Sequence, residues 1–371
     1  MIKFFDLQKQ YRLIKEEINS AVQGVLQSGH FILGKEVGLL EQKIAELTGA
    51  KYAIGVNSGT DALLLSLMAL GIKEKDEVLV PDFTFFATAE VIALLGAKPV
   101  FIDINPRTFN IDSKKIEAAI TKKTKAIIPV HLFGQPAEMD LIMKIAKKYK
   151  LFVIEDAAQA IGAKYKGKPA GHFGDLACLS FFPSKNLGAC GDAGMVLTSS
   201  KRLAEKLRLL RTHGSSPGHK YLNLILGLNS RLDTIQAVIL LVKLKYFQLW
   251  TKQRIKNAKK YNQAFKKLNQ AGQFITPFIL SQVYHVFHQY TVRTTRRNEL
   301  QKFLREQNIP TQIYYPLPLH LQPAFKYLGY QKGDFPEAEK AAQEVLSLPI
   351  YPEFLKKEQD LIIRKIKNFF T

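Results

Sequence analysis

The chain has 371 residues, 47% hydrophobic and 23% charged, a globular composition whose length exceeds one ordinary core and suits two domains. Its 53 Lys and Arg against 32 Asp and Glu give a formal charge of +21, but the surplus is lysine strewn along helical stretches, without a helix-turn-helix, zinc-ligand or basic-aromatic signature, so no nucleic-acid partner is expected. Two cysteines, Cys178 and Cys190, are too few for a disulfide framework, and with no signal-peptide pattern and no membrane-length apolar run the expectation is a soluble, cytoplasmic protein.

From Lys51 to Ser199, short β-branched runs alternate with amphipathic stretches. The predicted strands are Tyr52–Val56, Glu77–Val80, Pro99–Ile102, Ala126–Val130, Leu151–Ile154, Ala177–Phe181 and Met195–Thr198, with helical patterns between them at Asp61–Leu70 and Glu138–Tyr149. This alternation predicts an α/β fold: a mostly parallel central sheet flanked by helices. Asp233 to about Leu268 reads as a helical connector. Beyond it, strands at Val286–Arg293 and Pro310–Tyr315 and helices at Pro336–Val345 and Lys356–Phe369 make a smaller C-terminal α+β domain. The expected division is 1–250 and 251–371, with the N-terminal segment packing on the small domain. Ligands of such folds collect beyond the carboxyl ends of the strands.

Three stretches just after strands carry groups suited to chemistry. Asn57-Ser58-Gly59-Thr60-Asp61-Ala62 runs from a strand through a Gly turn into a helix, which presents free N–H groups and a positive dipole end to a phosphate. Ser58 and Asp61 could equally form a capping box, and the two readings are compatible. In Glu155-Asp156-Ala157-Ala158-Gln159, Asp156 could hold a protonated heterocyclic nitrogen and Gln159 could reach a phenolate oxygen; the bland alternative is that Asp156 caps a following helix. In Ser180-Phe181-Phe182-Pro183-Ser184-Lys185-Asn186-Leu187-Gly188, a lysine after a strand, between Pro and Gly, is oddly placed for a surface residue. Partial desolvation would lower its pKa and suit it to Schiff-base chemistry. Any one lysine of so many is usually solvent decoration; the order phosphate cup, acid, lysine shifts that balance.

Those segments, with Pro81-Asp82-Phe83-Thr84-Phe85, Gly191-Asp192-Ala193-Gly194, Asn229-Ser230-Arg231-Leu232 and Tyr315-Pro316-Leu317-Pro318-Leu319-His320, resemble the nucleotide-sugar aminotransferases of the DegT/DnrJ/StrS type, a branch of the fold-type-I pyridoxal 5′-phosphate (PLP) enzymes. The resemblance runs over essentially the whole chain. It implies PLP as cofactor, Lys185 as the Schiff-base lysine, Asp156 as the partner of the pyridine nitrogen and Gln159 facing the ring hydroxyl. It further implies phosphate binding by Gly59, Thr60 and Ser180, stacking by Phe85, and Asn229 reaching a neighbour's phosphate across a homodimer. Arg231, Tyr314, Tyr315 and His320 would face the sugar nucleotide. Without the resemblance, Phe85 reads as a plain core aromatic, and His131, His285 and His288 read as hydrogen-bonded structural residues. Many members have His-Tyr-Pro where this chain has Tyr314-Tyr315-Pro316, and tyrosine carries no positive charge at neutral pH.

The implied reaction is ping-pong transfer of an amino group from L-glutamate to a nucleotide-linked keto sugar. The wording around Lys185 resembles members that aminate C3, and Asn229-Ser230-Arg231-Leu232-Asp233 resembles enzymes of UDP-2-acetamido-3-keto-glucuronate. A dTDP-3-keto-6-deoxyhexose is the alternative acceptor. A related 3-dehydratase carries His in place of the lysine, which Lys185 argues against, and a non-catalytic regulatory protein would have no need of Lys185, Asp156 and the phosphate cup together.

Overall fold

Seven apolar runs pair into one sheet because their alternate residues serve two different cores. A computed structural model, which describes residues 2–216 and 218–371, forms strands β1 (Tyr52–Val56), β2 (Glu77–Pro81), β3 (Lys98–Ile102), β4 (Thr124–Ile127), β5 (Phe152–Asp156), β6 (Leu176–Ser180) and β7 (Gly194–Thr198). Their spatial order is β1-β7-β6-β5-β4-β2-β3. Only β7 runs against its neighbours; the remaining pairs are parallel. Ile54, Val78, Val80, Ala126, Ile154, Cys178 and Val196 enter the core under helix Gly59–Leu70. The residues between them face the other way. Leu79, Ile127 and Val153 meet Ile142 and Ile145 of helix Met139–Tyr149, while Ala177, Leu179 and Met195 meet Leu40 and Ile44 of helix Lys35–Thr48. The period of two is thus apolar in both phases, as a sheet covered on both faces requires.

This topology decides where chemistry can happen. Since β1 and β6 both oppose β7, they are parallel to each other and to β5, so the carboxyl ends of β1, β5 and β6 open on one sheet edge. Gly194 begins β7 at that same edge, where a Cβ would lie 2.2 Å from the Ser58 carbonyl oxygen. Only glycine fits there.

The C-terminal part is built around an antiparallel pair, β8 (Tyr290–Arg293) and β9 (Val345–Leu348). Tyr261, Phe265, Phe274, Tyr290, Leu300, Leu346 and Ile362 fill its core, and Ile2 lies among them. Two details depart from expectation. Residues 310–315 form no strand; Gln312 and Ser347 exchange backbone hydrogen bonds at 3.2 and 2.7 Å, but the stretch lies between two prolines that cannot donate to a ladder. Leu319, Phe325, Phe335 and Ala338 pack with the large-sheet core and not with the core of Tyr261 and Tyr290. Among the described residues no helix is long and apolar enough to cross a membrane.

Candidate active site

The turn after β1 is both a cap and an open cradle. Ser58 is extended, and its side chain accepts from the Asp61 N–H at 3.0 Å, starting helix Gly59–Leu70. The first-turn N–H groups of Gly59 and Thr60 have no acceptor within the helix, because that turn has no preceding carbonyls to serve it. Ser180, the last residue of β6, closes the cradle: a Cβ on Gly59 would sit 2.7 Å from the Ser180 Cβ. Gly59, Thr60 and Ser180 therefore converge, with helix-dipole polarity suited to an anion.

Asp156 ends β5 and is buried. No helix follows it, so it is not a helix cap. Its Oδ2 accepts from the Thr88 hydroxyl at 2.9 Å and its Oδ1 from the Ala158 N–H at 3.2 Å. Burial pushes its carboxyl above the usual aspartate range, against those hydrogen bonds and the nearby Lys185, which favour the charged form. Gln159 is fixed on both sides: Oε1 accepts from Phe133 N–H at 2.7 Å, and Nε2 donates to the Tyr315 hydroxyl at 3.1 Å. One Nε2 hydrogen remains for another acceptor.

Lys185 sits in a tight loop after β6. Its N–H donates to the Phe182 carbonyl at 2.8 Å, Ala189 N–H donates to the Phe181 carbonyl at 2.7 Å, and a Cβ on Gly188 would lie 2.3 Å from the Pro183 carbonyl oxygen. Buried Lys243 ties the loop down by donating to the Gly188 carbonyl at 2.7 Å. Desolvation lowers the Lys185 amine to about 8, partly countered by Asp156. An amine with that value has a useful neutral fraction near pH 7, as a nucleophile needs.

Around these groups the other predicted residues fall into three sets. Phe85 is 56% exposed, with its ring 6.2 Å from Tyr315, and is not the core aromatic that composition alone would make it. Tyr314 packs near Phe4 and Tyr315. Asn229 and Arg231 lie on the segment that follows the paired strands Ser215–Ser216 and His219–Asn223, and Arg231 has no hydrogen bond or ion pair among the described residues. His320 is the correction. Its side chain is fully enclosed, with Nδ1 2.6 Å from Asp82 Oδ2 and Nε2 3.3 Å from Glu339 Oε1, and its N–H donates to Asp82 Oδ1 at 2.8 Å, so it anchors the 318–320 turn to the end of β2. The resemblance pointed this histidine at the sugar nucleotide, but its ring is taken up by two carboxylates of its own chain.

Some contributors are invisible to local patterns. Thr88 reaches Asp156 from 68 residues away, and nothing in its apolar helix marks it. Arg211 Nη1 donates to Glu41 Oε1 at 2.6 Å and to the Gly55 carbonyl at 2.9 Å, while Ser230 Oγ accepts from Asn57 N–H at 3.4 Å. Ser230 N–H also donates to the Arg211 carbonyl at 3.0 Å, so the Asn229–Arg231 segment is fastened to the end of β1 both directly and through Arg211.

A helix-start cradle, a buried acid and a lysine of lowered pKa at one edge of a mostly parallel sheet are a combination suited to cofactor-dependent group transfer. Residues 12–367 match the DegT/DnrJ/EryC1/StrS aminotransferase family, and the chain belongs to it. It is 53% identical, over 100% of its length and 98% of the relative's, to a Geobacillus stearothermophilus protein named pleiotropic regulatory protein. It is 47% identical, over 95% and 96%, to the Pseudomonas aeruginosa UDP-2-acetamido-2-deoxy-3-oxo-D-glucuronate aminotransferase. The crystal structure of S. venezuelae DesV superposes with a TM-score of 0.96 at 39% identity, covering 99% of this chain and 98% of that one. Transaminases named for dTDP-3-amino sugars also match, and solved relatives include one with bound cofactor PMP and one in a PLP form. The protein is an aminotransferase of the sugar-nucleotide class.

Proposed function

We propose that the protein is a PLP-dependent aminotransferase that moves an amino group from L-glutamate to UDP-2-acetamido-3-keto-glucuronate. The observation that carries the cofactor is the meeting of the Gly59–Ser180 cradle, the Asp156 carboxylate and the Lys185 amine at one sheet edge. The residues fit PLP: an anion cradle closed to any Cβ, a buried acid lacking a full cationic partner, a free Gln159 hydrogen and an exposed Phe85 face. When bound, PLP acts as an electron sink for the carbon that gains or loses the amine.

The chain's own residues divide the work. Gly59, Thr60 and Ser180 hold the phosphate, and Phe85 stacks on the ring. Asp156, supported by Thr88 and the Ala158 N–H, keeps a proton on the ring nitrogen. Gln159 faces the ring hydroxyl with its orientation set by Phe133 and Tyr315. The Lys185 amine anchors the cofactor and, when free, takes a proton from the donor carbon and returns one to the acceptor carbon.

For the acceptor, Arg231 offers a planar donor fork suited to a carboxylate or phosphate. Similarity to the P. aeruginosa aminotransferase supports the UDP-linked uronate. Asn229 is exposed, and the adjoining hairpin segment exposes Leu222, Leu224 and Leu226, the last at 92%. Such an apolar arm supports a homodimer in which Asn229 and Arg231 serve the neighbour's site. The name of the G. stearothermophilus relative favours regulation instead, but a regulator gains nothing from a lysine tuned toward reactivity beside a buried acid.

The test is incubation of the holoprotein with L-glutamate and a panel of UDP- and dTDP-linked keto sugars, with mass detection of product. The UDP uronate should be aminated fastest. Preference for a dTDP sugar would reject the acceptor, and no amination of any sugar would reject the enzyme.

A further inference from the structure

Next to Lys185, the C-terminal part of the chain sends a buried loop, 285–289, against the lysine's own loop. Asn186, the residue after Lys185, is buried, and its amide is held at both ends: Nδ2 donates to the Val286 carbonyl at 3.2 Å, and Oδ1 lies 3.3 Å from His288 Nδ1. The first bond fixes which end of the amide is oxygen, so the second requires His288 to be the donor, protonated at Nδ1. Burial, with the cations of Lys185 and Arg254 nearby, holds the His288 pKa well below the usual histidine value, so the ring is neutral and this single tautomer persists.

The loop that carries His288 is itself clamped. Arg254, buried in helix Phe247–Ala264, directs Nη1 at the carbonyls of Phe287, His288 and Ile350, at 3.4, 3.3 and 2.8 Å. Phe287 has a φ of +48°, a conformation a non-glycine residue keeps only where its surroundings dictate it. His285 stacks on the Phe287 ring at 4.0 Å and accepts the Phe287 N–H at 2.9 Å. The same loop reaches the other flank of the site: Val286 N–H donates to the Gly134 carbonyl at 3.1 Å and Gln289 N–H to the Phe133 carbonyl at 3.3 Å, and Phe133 N–H holds Gln159. A Cβ on Gly134 would lie 2.9 Å from the His288 nitrogen, so the approach is as close as backbone allows.

We infer that His288 is a positioning residue for Lys185, acting through Asn186 to hold the amine in its desolvated place, and that the 285–289 loop couples the lysine to Gln159 across the site. A histidine that merely filled core space would need no tautomer and no matched amide. The inference rests on the reading of Lys185 as the cofactor lysine. Groups facing the amine are Asp156 from β5 and His288 from this loop, with His131 near Asp156 and Arg254 near His288.

The test uses the full chain freed of cofactor and mixed with PLP. Capture needs the neutral amine, so the pH midpoint of the capture rate, read by visible absorbance, reports Lys185. In the wild type the rate should rise with pH through about 8. His288→Leu and Asn186→Ala loosen the loop and admit water, and should move the midpoint upward by about one pH unit. His288→Asn places an amide donor where Nδ1 was and should keep the wild-type midpoint; His288→Gln places its donor at the Nε2 position and should shift like His288→Leu. Equal midpoints for the Asn and Gln variants, or no shift in a folded His288→Leu, would overturn the positioning role. Absence of PLP capture by the wild type itself would instead overturn the cofactor reading. If His288→Leu fails to fold, the Asn and Gln pair still decides.

Discussion

At the scale of single residues, the site is a contest between burial and charge. Asp156 stays useful only if it remains a carboxylate in a buried place, and Thr88, the Ala158 N–H and Lys185 are what oppose desolvation there. Asp156→Asn should keep the fold but cannot stabilise a ring proton, and turnover should fall about a hundredfold or more, by analogy with other pre-organised charge partners. A fall of only a few-fold, measured as kcat with glutamate in excess, would reduce Asp156 to a turn residue. Lys185→Ala should abolish amine transfer and leave noncovalent PLP binding through Thr60, Ser180 and Asp156, measurable by equilibrium dialysis. Lys185 and Asp156 stood out in the sequence through the order of phosphate cup, acid and lysine near strand ends, and the structure puts Asp156 at the end of β5 with no helix after it to cap. Thr88 and His288 did not stand out, since their partners are brought close only by folding.

At the scale of elements, the sheet edge does the gathering. β1, β5 and β6 end together because only β7 is reversed, and its first residue must be glycine to let the Ser58 turn pass. Gly59 matters for a related reason. Gly59→Ala would press a methyl group to 2.7 Å from the Ser180 Cβ, and neither strand end can move freely. Overpacking of this kind typically costs about 1–3 kcal/mol of folding stability, which should appear as a lower thermal unfolding midpoint of the cofactor-free chain, with PLP bound more weakly wherever the cradle is displaced to relieve the clash. The strands were readable from the sequence because both phases of each run are apolar. Their ends were less so: β5 continues to Asp156 rather than stopping at Ile154, and residues 310–315 look extended yet pair at a single bridge. A strand pattern records burial, whereas a ladder also needs a partner in register, which lies elsewhere in the chain.

At the scale of the whole molecule, the open question is whether two chains share a site. Arg231 has no partner among the described residues, and Leu222, Leu224 and Leu226 stand in solvent beside the segment that leads to it. If Asn229 and Arg231 serve the neighbour's cofactor and substrate, inactive Lys185→Ala and inactive Arg231→Ala chains should complement when subunits exchange. Each hybrid dimer would hold one doubly damaged and one intact site. Random exchange makes half the dimers hybrid, so activity should recover to about a quarter of wild type. No recovery, with exchange confirmed by mass, would place Arg231 in its own chain's site or outside it. In the sequence the shared site was suggested by the resemblance and, modestly, by the apolar run Leu222–Leu228 before Asn229-Ser230-Arg231, a pattern that a buried loop in a monomer would share.

If Lys185 holds the cofactor at the edge formed by β1, β5 and β6, its amine can be trapped there chemically. Borohydride reduction of the PLP-loaded protein fixes the cofactor to whichever lysine carries it, and peptide mass mapping then identifies that residue. The added mass should fall on the peptide containing Lys185 and disappear from Lys185→Ala. A label on another lysine, or none at all in protein that binds PLP, would contradict the account.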